Sequence, residues 1–231
     1  MLKNTLINRI ATKTIAGALK ELNDRVIYVG GAVVSLYIDD PAADDVRPTQ
    51  DIDISLNIAS LTELELIRES LINQDFHQTS DDDVICRFRY NDIKVDIMAT
   101  EAIGWAPGNE WFKAGFDKRQ KMVVDEYSIH VLPLAYFLAT KFSAFQDRGM
   151  KDPRTSTDFE DIVYLLNHTS NVKEQVVNGS EDVKVFLKEW FIKIIESDDL
   201  QEAILGHLYY EEQMVRSEKI ITDLKEIIDA I

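Results

Sequence analysis

Two short apolar runs in this chain carry aspartates where the interior of a strand normally carries nothing charged. They are Asp51-Ile-Asp53-Ile-Ser-Leu56 and Ile93-Lys-Val-Asp96-Ile-Met98. Side chains alternate across a strand. In the first run Ile52, Ile54 and Leu56 therefore point to a core, while Asp51, Asp53 and Ser55 share the other face. In the second, Ile93, Val95 and Ile97 point one way and Lys94, Asp96 and Met98 the other. If the two strands are neighbours, all three aspartates converge on one patch of one sheet. Two carboxylates about 4 Å apart repel by roughly 4 kcal/mol at an effective dielectric near 20. Such a cluster persists only with a bound cation or a shared proton. Oxygen-only ligands select hard cations, Mg²⁺ or Mn²⁺.

A second feature precedes the first. Val26-Ile-Tyr-Val29 is a short apolar strand that runs directly into Gly30-Gly31, and Ala32–Tyr37 then reads as a helix ending before Pro41. A strand-to-helix turn without β-carbons lets backbone N–H groups approach a phosphate closely, at the positive end of the helix dipole. Ser35, one turn on, and Arg47 and Thr49, just before the aspartate pair, are further candidates for phosphate contact. Each motif alone is more often a plain turn or cap. Their order carries the weight: strand, Gly-Gly, helix, Asp-x-Asp strand, then a later strand with Asp. It predicts a site for divalent metal and a triphosphate, with Asp51 and Asp53 on the nucleotide-bound ion. Asp96 shares a second ion and helps deprotonate an attacking hydroxyl.

The rest of the pattern gives the organisation. Residues 4–22 and 61–73 have helical spacing of Leu and Ile, and strands at 84–90 and 93–98 flank an Asn91-Asp92 hairpin signal. After an irregular stretch with Trp105 and Trp111, a strand fits 128–132. From Pro133 the pattern is helical, with helices expected near 133–148, 155–167, 180–197 and 209–229. The pattern gives a half that mixes helices and strands, followed by a helical half. The catalytic core spans residues 1–132 and a helical subdomain, 133–231, packs on it.

Charge and composition bound the partners. The net charge is −16, which argues against general nucleic-acid coating. Between Lys113 and Arg154, however, eight basic and five acidic residues leave a local +3, where an anionic substrate would be drawn. A single cysteine, Cys86, excludes a disulfide framework and a cysteine zinc site and fits a reducing compartment. The four histidines show no ligand spacing. The first residues lack a secretory signal pattern, and no run approaches membrane-spanning length. A cytoplasmic protein without membrane association is expected.

These residues resemble the DNA polymerase β-type nucleotidyltransferases and, among them, the AbiEii/AbiGii abortive-infection toxins, and the resemblance implies an α+β fold, a mixed sheet flanked by helices with a C-terminal helical subdomain. The family's glycine turn falls on Gly30 and Gly31, its aspartate pair on Asp51 and Asp53, and its third carboxylate on Asp96. The run Phe137-Leu-Ala-Thr-Lys141-Phe-Ser-Ala-Phe-Gln-Asp-Arg148 is similar to its lysine-centred helical motif. Ser156-Thr-Asp158-Phe-Glu-Asp161 is similar to its second helical motif. The resemblance implies that Lys141 contacts the triphosphate and that Asp158 and Asp161 orient it or help close the site; two helices joined by an ordinary salt bridge explain Asp161 almost as well. Ala32 departs from the family's frequent serine and removes one phosphate ligand. The implied activity moves an NMP from an NTP to an acceptor hydroxyl and releases pyrophosphate. The acceptor would be tRNA, a protein or a small molecule, and a cognate antitoxin is an implied partner. The alternative is a catalytically silent nucleotide-binding module on the same fold. A haloacid-dehalogenase-type phosphatase also uses Asp-x-Asp, but Arg47-Pro-Thr-Gln50 does not provide the apolar strand it needs before the first aspartate.

Overall fold

The computed structural model describes residues 2–231, which divide into two compact units. The first runs up to Leu36 and resumes over Asp44–Pro133; the second takes Tyr37–Ala43 and Leu134–Ile231.

The first unit is built on six strands: β1 Val26–Val29, β2 Asp51–Leu56, β3 Arg87–Tyr90, β4 Ile93–Ala99, β5 Gln120–Val124 and β6 Tyr127–Val131. Their spatial order is β3-β4-β2-β1-β6-β5. β2 runs parallel to β4 and β1 parallel to β6, while β1/β2, β3/β4 and β5/β6 are antiparallel. The sheet is mixed, as expected. Register pairs Tyr28 with Ile54, Ile54 with Ile97, Ile52 with Val95, Val95 with Phe88, and Tyr28 with Val131. These side chains share one face and are buried. α1 (Lys3–Leu19) lies on that side, where Gly17 leaves room for the Tyr127 hydroxyl. α2 (Leu61–Ile72) buries Leu64, Ile67 and Leu71; Ser60 caps it by accepting from the Glu63 N–H.

Several local expectations change. The first helix tightens after Leu19 into a 3₁₀ segment, Lys20–Arg25. The segment after the glycine pair, expected as a helix, is a 3₁₀ helix over Gly31–Tyr37. Two adjacent β-branched valines and the tight Gly30 turn, with φ of 70°, favour the narrower coil. The third strand starts at Arg87, because the acidic stretch before it turns instead of extending. Two elements had no sequence signal. α3 (Glu110–Phe116) is seven residues long, capped by Asn109, too short for a helical period to show. β5 is an edge strand exposed over most of its length, so it lacks the apolar alternation of a half-buried strand.

The second unit is helical: α4 Leu134–Arg148, α5 Thr157–His168, α6 Val172–Val177, α7 Glu181–Glu196, α8 Asp198–Gly206 and α9 Gln213–Ile228. The four longest match the expected helices, whereas the short α6 and α8 were not foreseen. Its core is aromatic, with Phe142 stacked on Trp190 and Phe145 against Phe159. The 37–43 segment is clamped into this unit: Tyr37 stacks on Phe137, and the Asp39 and Asp40 N–H groups both donate to the His168 carbonyl. Among the described residues no helix is long and apolar enough to cross a membrane.

Candidate active site

The face of the sheet opposite the apolar one carries the polar chemistry. Because β2 and β4 are parallel neighbours, Asp53 stands directly beside Asp96, and Asp51 beside Lys94. Asp53 is also paired across β1 with Val29, the residue before the glycine turn. Three features from distant parts of the chain are thereby placed next to one another. Thr49 reaches both the Asp51 carbonyl and its Oδ1 at 3.3 Å, which orients that side chain from the preceding loop.

The glycines also have a local packing reason. A β-carbon on Gly30 would overlap the Asp53 carboxylate, and its backbone is left-handed. At Gly31 a β-carbon would come within 2.5 Å of Arg47 Nη2. The diglycine turn is therefore what allows a carboxylate and a guanidinium to lie against the backbone. The expected dipole of an α-helix N-terminus gives way to a short 3₁₀ helix, and the cation beside the turn is Arg47. Ser35 is half-buried on that 3₁₀ helix.

Arg87, which the sequence reading missed, bonds two of the three carboxylates. Its Nε donates to Asp96 Oδ1 at 2.7 Å, and its Nη2 to Asp96 Oδ2 at 2.7 Å and Asp51 Oδ2 at 2.9 Å. The Asp96 hydrogen bonds, then the charges of Asp96 and Asp51, push the Arg87 guanidinium further above its already high range. A signal for it did exist. A two-residue turn at Asn91-Asp92 pairs Tyr90 with Ile93, and counting outward puts Arg87 opposite Asp96, the register observed. Cys86, next in sequence, is buried, and its thiol is pushed up to about 11, first by burial and then by the charges of Asp96 and Asp53.

The donor chemistry suits a hard divalent cation, since Asp51, Asp53 and Asp96 offer only carboxylate oxygens on one face. Among the described residues, though, no three carboxylate, imidazole or thiol groups stand together as a ready-made metal cluster. As placed, the oxygens of Asp51 and Asp96 hold a guanidinium. By residue type the set fits the ion, and Arg87 stands on oxygens that would hold it.

The other candidates lie in the second unit. Lys141 is 5% exposed; its Nζ donates to Asp161 Oδ2 at 2.6 Å and stands 3.6 Å from Asp158 Oδ1. Arg148 Nε reaches Asp158 Oδ2 at 2.7 Å. Two cations and two anions form a neutral quartet between α4 and α5, with Ser156 capping α5 through the Phe159 N–H. The spacing of 141 and 148 on one helix face and of 158 and 161 on the next makes this possible.

Comparison with known proteins supplies the assignment. The sequence profile described as "Nucleotidyl transferase AbiEii toxin, Type IV TA system" matches residues 16–189, well over half the chain. This chain belongs to the AbiEii nucleotidyltransferase toxin family. The antigenic nucleotidyltransferase-like protein of Paracoccidioides brasiliensis has a similar structure. It shows a TM-score of 0.51 at 16% identity, over 86% of this chain and 92% of that one. The antibiotic-resistance factor ANT(2'')-Ia gives a TM-score of 0.50 at 15% identity, over 83% and 94%. At such identities the likeness establishes the nucleotidyltransferase fold. No curated protein sequence gives a significant match.

Proposed function

We propose that this member of the AbiEii family is a metal-dependent nucleotidyltransferase that takes an NTP as donor. One observation supports the reading above the others: Asp53 and Asp96 are register neighbours, with Asp51 on the same face, beside a glycine turn shaped around the Asp53 carboxylate. In this reading Asp51, Asp53 and Asp96 would hold Mg²⁺ or Mn²⁺, an ion that neutralises the triphosphate and the leaving oxygen when bound. Thr49 keeps Asp51 turned toward the site. Arg47, against Gly31, and the backbone of Gly30 and Gly31, with Ser35 behind them, meet the phosphates. Asp96 accepts the proton of the acceptor hydroxyl. A new acceptor O–Pα bond forms, the bond from Pα to the bridging oxygen breaks, and pyrophosphate leaves.

The family relationship further suggests a toxin paired with a cognate antitoxin and working in the cytoplasm, with tRNA or a protein as acceptor. Lys141, with Asp158 and Asp161, is assigned to nucleotide contact by the family resemblance alone. Incubation of the protein with labelled NTPs and total cell extract, while pyrophosphate is followed, tests the reading. The wild type should label one macromolecular class, and Asp51→Asn and Asp53→Asn should each abolish transfer without changing the far-UV spectrum. Undiminished transfer in both variants removes the assignment. The hold of Arg87 on two carboxylates favours one competing reading, a silent nucleotide-binding module. Its signature would be calorimetric NTP binding without pyrophosphate release.

A further inference from the structure

Like charges set directly opposite one another in a sheet destabilise it. The β2–β4 pair nonetheless holds Asp53 beside Asp96, with Asp51 two residues along the same face. The fold supplies an answer of its own. Arg87, one strand further out, sits in register with Asp96 and takes both of its oxygens in a planar fork while bridging to Asp51 Oδ2. The arginine and Asp96 side chains are only 15% and 14% exposed, so water screens this contact poorly. Bidentate arginine–carboxylate pairs are among the stronger hydrogen-bonded contacts in proteins. The oxygens that Arg87 occupies are also those that a divalent ion would need. A guanidinium and a hard cation cannot share them, because each requires the same lone pairs and the two repel.

We infer that Arg87 is the built-in counter-ion of the carboxylate site and competes with the divalent ion for Asp51 and Asp96, so that this residue sets the site's metal affinity. The inference rests on the reading that these aspartates hold metal, and it adds a consequence. The site assembles and folds without metal, and metal entry is coupled to release of one arginine. An arginine that served only to orient Asp96 for the ion would have the opposite effect when removed.

The test is Mn²⁺ binding to the full chain without nucleotide, followed by calorimetry and by the Mn²⁺ paramagnetic resonance signal. Arg87→Gln keeps a polar side chain but removes the charge. It should bind Mn²⁺ about tenfold more tightly than wild type or better, equivalent to about 1.4 kcal/mol. It should also melt lower without metal and recover with it. Arg87→Lys retains the charge but loses the fork, so its affinity should fall between the two. It carries the comparison if the glutamine variant does not fold. Unchanged or weaker Mn²⁺ binding in the variants overturns the competition and leaves the metal reading standing. Absence of binding in wild type and variants alike overturns both.

Discussion

Replacing Asp161 by asparagine asks whether the quartet in the second unit holds that unit together. The change is nearly isosteric and keeps an oxygen for Lys141, but it removes one of the two negative charges. What it costs depends on where the pair lies. Exposed ion pairs contribute about 0–1 kcal/mol, whereas removing one partner of a buried pair costs about 3–5 kcal/mol through the stranded charge. The Lys141 and Asp161 side chains are 6% and 3% exposed and 2.6 Å apart, which puts them in the second regime. Asp158, 3.6 Å from Nζ and shared with Arg148, remains as partial compensation. The expected loss is therefore at the lower end, about 3 kcal/mol. For a chain of this size that is a fall in melting temperature of about 6–12 °C. Urea and thermal unfolding followed by far-UV circular dichroism at neutral pH measure it. The double change Lys141→Met with Asp161→Asn leaves Arg148 and Asp158 as a neutral pair and should recover part of the loss. A single-variant loss below about 1 kcal/mol would show that the pair behaves as if solvated, and the burial argument would fail.

Two other expectations follow from the same structure. Gly30→Ala should lose at least about 1 kcal/mol from its left-handed backbone. It should also displace Asp53 and abolish transfer; a variant with wild-type melting and pyrophosphate release would contradict the packing described. Acid stability should fall in two stages. His130 is held below its ordinary value of 6.5 by burial, then by the charges of Arg119 and Lys121. Its contribution is complete above about 6.5 and is lost as pH falls below that. The Asp40 carboxyl is lowered by its hydrogen bond with His168 and by the Ala42 N–H, with the charges of His168 and Arg216 adding. Its contribution is present above the ordinary value of 3.8 and is lost as pH falls through its lower folded value. Urea midpoints between pH 8 and 3 should show His130→Gln removing the first decline and Asp40→Asn weakening the second, and unchanged profiles would refute both attributions.

Much of this protein was legible in its residues alone. The alternation in Asp51–Leu56 and Ile93–Met98 put three aspartates on one side of their strands, since a β-strand has a period of two whatever surrounds it. The four long helices and the facing of Lys141 and Arg148 also follow from local periodicity, and the Gly-Gly turn from its residue types. The mixed sheet came only as an implication of the resemblance to the family that the profile match establishes. Only the tertiary structure decided which strands are neighbours, because pairing between distant segments depends on the packing of the whole core. That pairing set Asp53 beside Asp96. It showed that the glycines make room for Asp53 and Arg47, and it placed a guanidinium on the oxygens where an ion was expected. The short α3, α6 and α8 and the exposed strand β5 were illegible for the converse reason. Elements held mainly by their neighbours carry too little apolar pattern of their own to be read from sequence.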